Sequence, residues 1–275
     1  MRQACLFVFL SVGLLAAGQA ASQPANVNPG LAVRLASHRA IYDLSMARAD
    51  VTGEVADVRG QMALEFMDVC DGYTLTQRMQ MDIITAEGEV LAGHHSITSW
   101  ESYDGLKYRF QIRNASQGKP DEEFDGFAQL LGPGAKGTVK YNKPAGQQLA
   151  LPAGVIFPTE HTLKLVQAAM AGQPRLAVVV FDGDSNEGLS EVSGILGREI
   201  APGQAKSSQS ALTTLRSWRG RLAYFKIKSR AERPDYELGF RLYENGIGDE
   251  LVFDYSDFAV AARIARVELP ASPKC

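Results

Sequence analysis

The sequence predicts a mainly β protein that forms a single antiparallel domain with one short α-helix. Several segments alternate apolar and polar residues with a period of two, and two Asx-Gly pairs lie between such segments. Only one segment has apolar residues at helical spacing. Alternation with period two places successive side chains on opposite faces of a strand. We therefore expect a half-buried, curved sheet with the helix covering one of its openings.

The first strands follow from three neighbouring segments. In HRAIYDLSM one face carries Ala40, Tyr42, Leu44 and Met46. In QMALEFMD one face carries Met62, Leu64 and Phe66, and GYTLTQRMQMDI continues the alternation. These segments predict consecutive antiparallel strands.

Two Asx-Gly pairs predict β-hairpins. Asp104-Gly105 lies between a segment with Trp100 and a segment with Phe110, and Asn245-Gly246 lies between two alternating segments near the C-terminus. Asp-Gly is a preferred pair for a two-residue type I′ turn. We expect such a turn at Asp104-Gly105.

The single helical segment is FPTEHTLKLVQAAMAGQ. Thr159 is the expected N-cap, Glu160 lies in the first turn, and Gly172 is the expected stop signal. Its apolar residues at helical spacing are Leu163, Val166 and Met170. The segment predicts one short helix.

The N-terminus is typical of a secretory signal. MRQACLFVFLSVGLLAAGQA has one cation, then an apolar run, then small residues at Gly18 and Ala20. We expect a signal peptide over residues 1–20, a flexible segment over 21–34 and one β domain over 35–275. The apolar run is too short for a membrane-spanning helix, so no transmembrane segment is expected after cleavage. The 28 basic and 31 acidic residues give no basic excess that would favour nucleic acid.

After cleavage, two cysteines remain, Cys70 and the C-terminal residue Cys275. Thiols of exported proteins usually pair in an oxidising compartment. A nucleophilic role for Cys70 is disfavoured because Asp68 and Asp71 lie beside it and oppose a thiolate. A zinc site needs three or four ligands, and no local histidine completes one. These arguments favour a disulfide between Cys70 and Cys275.

Two motifs resemble known binding loops without matching them. FDGDSNEG places Asp182, Asp184 and Asn186 at alternate positions, as a calcium loop would, but Glu187 stands where glycine is required and Ser193 where glutamate is required. We interpret it as a polar turn. GPGAKG, at 132–137, has the glycine spacing of a dinucleotide loop, but a strand-like segment follows it, so we interpret it as a plain loop.

The histidines and a basic segment give no catalytic pattern. His94 and His95 are adjacent in a strand and should point to opposite faces, and no Gly-x-Ser-x-Gly motif accompanies His161. WRGRLAYFKIKSRAERPDYE could contact anionic lipid or glycan, but a solvated strand face with buried aromatic residues is the preferred interpretation. The sequence predicts no catalytic residue, no metal site and no cofactor.

Seven features of the sequence together resemble the EipB-like family of periplasmic cell-envelope integrity proteins, long described as a domain of unknown function. They are LASHRAIYDLSMA, DVCDGYTLTQRMQ, SWESYDGLKYRF, LPAGVIFPTEHT, PDYELGFRLYENGI, FDYSDF and the final cysteine. The resemblance implies a β-spiral, an incompletely closed barrel similar in outline to the lipoprotein carriers LolA and LolB. It also implies a Cys70–Cys275 disulfide, a periplasmic location and a role in envelope integrity under stress.

The leading hypothesis is a non-enzymatic periplasmic protein that binds a lipid-like ligand, a lipoprotein or an envelope protein partner. A ligand would occupy the concave apolar face of the sheet. The residues expected to line that face are Met62, Leu64, Phe66, Trp100, Phe110 and Met170. Two alternatives are an interaction scaffold that binds a partner through its exterior or strand edges, and an envelope-polymer hydrolase that uses His161 or Asp182.

Overall fold

The computed structural model describes residues 33–50, 53–184, 188–205, 207, 209–227, 232–255, 257–271 and 273–275. The signal peptide expected at 1–20 and most of the segment expected to be flexible at 21–34 lie outside these residues. Val33–Cys275 forms one compact unit.

The described residues contain fifteen strands and two helices. The first eight strands are β1 (His38–Ala49), β2 (Val55–Asp68), β3 (Gly72–Thr85), β4 (Val90–Ser102), β5 (Lys107–Ser116), β6 (Lys119–Leu130), β7 (Gly137–Lys143) and β8 (Gln148–Leu151). The remaining strands are β9 (Val155–Ile156), β10 (Arg175–Phe181), β11 (Leu189–Ile200), β12 (Ser217–Lys226), β13 (Tyr236–Tyr243), β14 (Gly248–Asp254) and β15 (Phe258–Glu268). The helices are α1 (Pro158–Met170) and the single turn α2 (Ser210–Thr213).

The strands form one sheet made of two meanders. Its order is β8-β7-β6-β5-β4-β3-β2-β1-β15-β14-β13-β12-β11-β10-β9. Neighbouring strands are antiparallel except for the parallel pair β9 and β10. The first and last strands of the chain, β1 and β15, pair with each other and join the two meanders.

The ends of this sheet are consecutive in the chain, and this forces the sheet to curl. Only residues 152–154 separate β8 from β9, so the Cα atoms of Leu151 and Val155 lie within about 15 Å of each other. A flat sheet of fifteen strands would be about 65–70 Å wide. The sheet therefore closes on itself into a barrel-like shell, with one seam at β8 and β9 where no ladder joins the described strands. The mainly β prediction is confirmed.

The predicted strand faces agree with the observed burial. Ala40, Tyr42 and Leu44 are buried on β1, and Met62 is buried on β2. The register aligns Tyr42 with Met62, and Met62 with Met79 on β3. Because each strand keeps its alternation, these side chains form continuous rows on the inner face of the shell.

Both predicted hairpins are present, but the expected type I′ turn at Asp104-Gly105 is wrong. A type I′ turn needs two consecutive residues with positive φ, and of this pair only Gly105 has one, at 65°. The Gly105 amide donates to the Ser102 carbonyl at 2.9 Å, and the Asp104 carboxylate accepts from the Leu106 amide at 3.0 Å. The aspartate side chain thus stabilises a four-residue loop.

Helix α1 is present, but its expected N-cap, Thr159, is also wrong. The N-cap position is Phe157, whose side chain makes no capping hydrogen bond. The carboxylate of Glu101, from β4, accepts hydrogen bonds from the amides of Thr159 at 2.7 Å and Glu160 at 2.8 Å. A residue remote in sequence therefore satisfies the free amides of the helix. Gly172 follows the helix with a φ of 66°, as a stop residue should.

The helices fill only part of the shell. In α1 the buried residues are His161, Leu165, Val166, Ala168 and Ala169, and this face packs on β10 and β11. Within the residues that the structure describes, no helix is long and apolar enough to cross a bilayer.

The structure contains the Cys70–Cys275 disulfide, with Cα atoms 5.6 Å apart. Cys70 lies in the turn between β2 and β3, and Cys275 ends the tail that follows β15. Since β15 pairs with β1 and β1 pairs with β2, the tail crosses the beginning of β1 to reach that turn. The disulfide therefore covalently reinforces the joint between the two meanders.

Replacing Cys70 and Cys275 by serine should lower the free energy of unfolding by about 2–5 kcal/mol. The bond spans 205 residues, and its loss restores conformational freedom to the unfolded chain. Urea denaturation followed by tryptophan fluorescence measures the change. Cys275→Ser alone should reproduce it, and dithiothreitol should destabilise only the wild-type protein. A double variant as stable as the wild type would contradict this role.

Burial raises the pKa of Glu101 to about 7, against the effect of its two backbone hydrogen bonds. A carboxyl whose pKa is raised by folding binds protons better in the native state, so its contribution to stability falls as pH rises from about 4.5 to 7. We expect the unfolding free energy of the wild type, minus that of Glu101→Gln, to decrease by roughly 3 kcal/mol between pH 4.5 and pH 8. Urea denaturation across this range tests it, and a constant difference would show that the Glu101 pKa is not raised.

Candidate functional site

A cavity of about 450 Å³, partly open to solvent, lies between the inner faces of the strands. Strands β1 to β5 contribute one wall, and β14 and β15 contribute residues from the other meander. Among the apolar lining residues are Leu44, Met62, Met79, Ile97, Ile112 and Phe253. The cavity volume lies in the range of small-molecule sites, and its walls are mostly apolar.

The register of the sheet explains this lining. One row across β1 to β5 runs through Tyr42, Met62, Met79, His95 and Asn114, each paired with the next. Adjacent rows place Met81 and Ile97 on the same face. Methionine side chains are flexible and adapt to apolar ligands of different shape.

An acidic pair, Asp182 and Asp184, forms the polar end of the cavity. Both follow β10, and the Tyr108 hydroxyl donates to the backbone carbonyl of Asp182 at 3.0 Å. Between them, Gly183 has a φ of 82°, and a Cβ there would approach the Phe110 ring to 2.7 Å. Only glycine fits this position, and the resulting turn brings both carboxyl groups to the cavity wall.

The surroundings of the pair disfavour ionisation. Burial raises the pKa of Asp182, and the charge of Asp184 raises it further. Burial also raises the pKa of Asp184, although the positive charge of His95 opposes this shift. The side chain of Asp184 is nevertheless accessible to water, as expected for a group on the wall of a hydrated cavity.

His95 is a second polar group of the lining. Its Nδ1 lies 2.6 Å from Oδ1 of Asn114, while His94 is exposed on the other face of β4. The opposite orientation of the two histidines agrees with the sequence prediction. His161 is buried in α1 and is not among the cavity-lining residues, and burial lowers its pKa to about 4.

Of the six residues predicted to line a ligand face, the structure places only Met62 in the cavity wall. Phe110, Leu64, Phe66 and Met170 lie in or against the apolar clusters that surround it.

Trp100 lies on the opposite face of β4 from Glu101. Its Nε1 donates to Asp71 at 3.1 Å, and the guanidinium of Arg109 lies 5.7 Å from its ring centroid. Trp100 is therefore directed away from the interior and does not belong to the lining.

The remaining sequence motifs have structural roles. In the basic segment, Arg219 and Arg221 form ion pairs with acidic residues, as does Arg216 just before it, while Trp218 is buried. The loop at 132–137 leads into strand β7, as interpreted from the sequence. Within the described ranges, no group of three or more His, Cys, Asp or Glu side chains is arranged to hold a metal ion.

Sequence reasoning named Asp182 only as a candidate of the hydrolase alternative, and it did not place Asp182 or Asp184 in a ligand cavity. They belong to FDGDSNEG, which we interpreted as a polar turn, and Asn186 and Glu187 of that motif lie outside the described residues. A signal was present, because two acidic residues directly follow an apolar strand. The sequence could not show that this turn faces the interior of the shell.

Comparisons with known proteins agree with this architecture. The family model described as EipB-like matches residues 29–270. The cell envelope integrity protein EipB of Brucella abortus (strain 2308) is 30% identical over 266 residues, which cover 95% of this chain and 91% of that protein. A crystal structure of a β-barrel-like protein of a domain of unknown function, DUF1849, from Brucella abortus superposes with a TM-score of 0.79 at 29% identity. The match covers 87% of this chain and 100% of the chain in the crystal structure.

Replacing Asp182 by asparagine should increase the free energy of unfolding by more than about 1 kcal/mol at pH 8. A raised pKa means that folding disfavours the ionised carboxylate, and asparagine removes that penalty while its carbonyl still accepts from the Asp184 amide. The gain should shrink toward pH 5, where the wild-type carboxyl is protonated. Urea denaturation of the variant and the wild type at pH 8 and at pH 5 measures the gain in the free energy of unfolding at each pH.

The exterior variant Asp82→Asn is the control, with an expected change within about 0.5 kcal/mol. A loss of stability in Asp182→Asn at pH 8 would contradict the prediction, because the carboxylate would then be stabilising the fold.

Proposed function

The chain belongs to the EipB-like family, and from this premise we propose that it supports the integrity of the cell envelope by holding an apolar, lipid-like ligand. The observation that carries the proposal is the interior cavity of about 450 Å³, whose walls are mostly apolar. The name of the Brucella abortus relative supports the envelope role.

Binding in this cavity has a clear driving force. Each methylene group transferred from water to an apolar wall contributes about 0.8 kcal/mol. A chain of about ten methylene groups thus gains roughly 8 kcal/mol before the entropic costs of association are subtracted. The wall already exists in the folded shell, so little reorganisation opposes binding.

The proposed location is the periplasm, reached through the signal peptide expected at residues 1–20. There, a carrier or sensor of lipid-like molecules would act directly on the envelope, alone or with a lipoprotein or envelope protein as partner. The proposed role is non-catalytic. It needs only the cavity and a stable shell, and the disulfide stabilises that shell.

The structure favours the cavity over the strand edges as the binding element. The edge strands β8 and β9 have only four and two residues. Short edge strands are poor templates for the addition of another strand. A scaffold that acts by strand addition therefore has little support from the described strands.

Replacing Ile97 by tryptophan should weaken uptake of an apolar dye at least about tenfold, because the larger side chain occupies part of the cavity. Ile97 lines the cavity, and the neighbouring Thr98 is exposed on the opposite face of β4. The measurement is a titration with N-phenyl-1-naphthylamine, a neutral dye that fluoresces in apolar surroundings.

Thr98→Trp is the matched control and should bind the dye like the wild-type protein. Circular dichroism and urea denaturation verify that both variants fold. A wild-type protein that does not bind the dye, or equal binding by Ile97→Trp and the wild type, would overturn the proposal.

A further inference from the structure

The lining of the cavity has an unbalanced charge. Its acidic residues are Asp182 and Asp184, and neither lysine nor arginine is among the described residues that line it. His95 is the single basic group of that lining, and it contacts Asn114. No ion pair of either aspartate with a lysine or arginine occurs in the part of the chain that the structure describes.

Other enclosed acids of this protein have structural partners, and Asp182 differs from them. Glu101 accepts two backbone hydrogen bonds at 2.7 and 2.8 Å. Asp249 accepts two, from Glu250 at 2.7 Å and Ile264 at 2.9 Å. Within the described residues, the Asp182 carboxyl accepts a longer bond from the amide of Asp184, at 3.2 Å, and also interacts with its own backbone amide and with the Asp184 carboxyl. The hydrogen-bonding capacity of the acidic pair is therefore poorly used by the fold.

Aromatic rings complete this end of the cavity. Tyr236 and Tyr255 line the same cavity, with ring centroids 6.2 Å apart and an interplanar angle of 32°. Tyr224 stacks on Tyr236 at 4.4 Å and fixes its ring. The faces of tyrosine rings attract ammonium groups, and acidic side chains beside them increase that attraction.

We propose that the ligand is a long-chain amphiphile with a cationic, ammonium-type head, which lies against Asp182, Asp184 and the tyrosine rings while its chain contacts the methionine-rich wall. This inference rests on the proposed function, because it specifies the chemistry of the ligand in the same cavity. An anionic head in this cavity would face two carboxyl groups and no lysine or arginine in the described lining. Lys226 lies in an adjoining pocket that the same two aspartates line, but Glu122 and Asp235 lie there as well, so the surroundings of the pair remain acidic.

The test compares ligands that share a dodecyl chain and differ in the head. Dodecyltrimethylammonium and dodecanoate, each below its micelle concentration, displace N-phenyl-1-naphthylamine from the purified, oxidised protein at pH 8. The cationic compound should act at about tenfold lower concentration, as expected for charge-assisted contacts to carboxylates. Tetramethylammonium, which lacks the chain, should require far higher concentrations.

The variant Asp182→Asn/Asp184→Asn should lose the preference for the cationic head, measured as the ratio of the dodecanoate and dodecyltrimethylammonium concentrations that displace half of the dye from that variant. Asp82→Asn, on the exterior of β3, should keep the preference.

The outcomes separate the two proposals. Dye binding without a preference for the cationic head overturns this inference and leaves the apolar cavity function intact. A preference that persists in the double variant overturns it as well, and so does displacement by tetramethylammonium as effective as by the dodecyl compound. Failure of the dye to bind at all overturns the proposed function itself.

Discussion

The pairing of the first strand with the last is the interaction on which the rest of the structure depends. The ladder between β1 and β15 joins two meanders whose other ends are connected along the chain by the short turn at residues 152–154. Such a contact is remote in sequence, so its formation carries a large loop-closure cost. The disulfide at Cys70 and Cys275 lies one strand away from this ladder and restricts the same long loop in the unfolded chain. Hydrogen bonds and a covalent bond thus stabilise one joint.

The cavity is a consequence of this closure. A barrel of about eight strands is just wide enough for side chains to fill, and the interior widens as strands are added. Here a sheet of fifteen strands curls around three apolar clusters, one of which includes the inner face of α1. Side chains and α1 fill the regions of these clusters, and the space between the clusters remains open and accessible to water. A ligand site in the interior therefore requires no specialised loop.

The sequence predicted those features that depend on local pattern. Periodicity and turn residues predicted the faces of β1 and β2, the hairpins and the longer helix. The expected compartment predicted that the two thiols pair. The wrong turn type at Asp104-Gly105 has a local cause, whereas two other errors arose where a residue remote in sequence decides the outcome. Thr159 does not cap α1, because Glu101 reaches the helix from β4. Trp100 resembles the apolar residues of neighbouring strands, but its position in the register directs it to the exterior beside Arg109. Periodicity defines two faces of a strand and does not state which one is enclosed.

The acidic pair shows how the fold and the candidate site share residues. Phe110 belongs to the buried aromatic cluster, and its ring lies so close to Gly183 that no Cβ fits there. The positive φ of Gly183 in the turn after β10 also favours glycine. The same turn directs two carboxyl groups to the partly open, mostly apolar cavity, where burial and the charge of Asp184 raise the pKa of Asp182. Glu101 is buried as well, but it accepts two short hydrogen bonds from the amides of a helix, whereas within the described residues the Asp182 side chain accepts a longer hydrogen bond from Asp184. A group that folding disfavours and that contributes little to packing is better explained by what it binds than by what it stabilises.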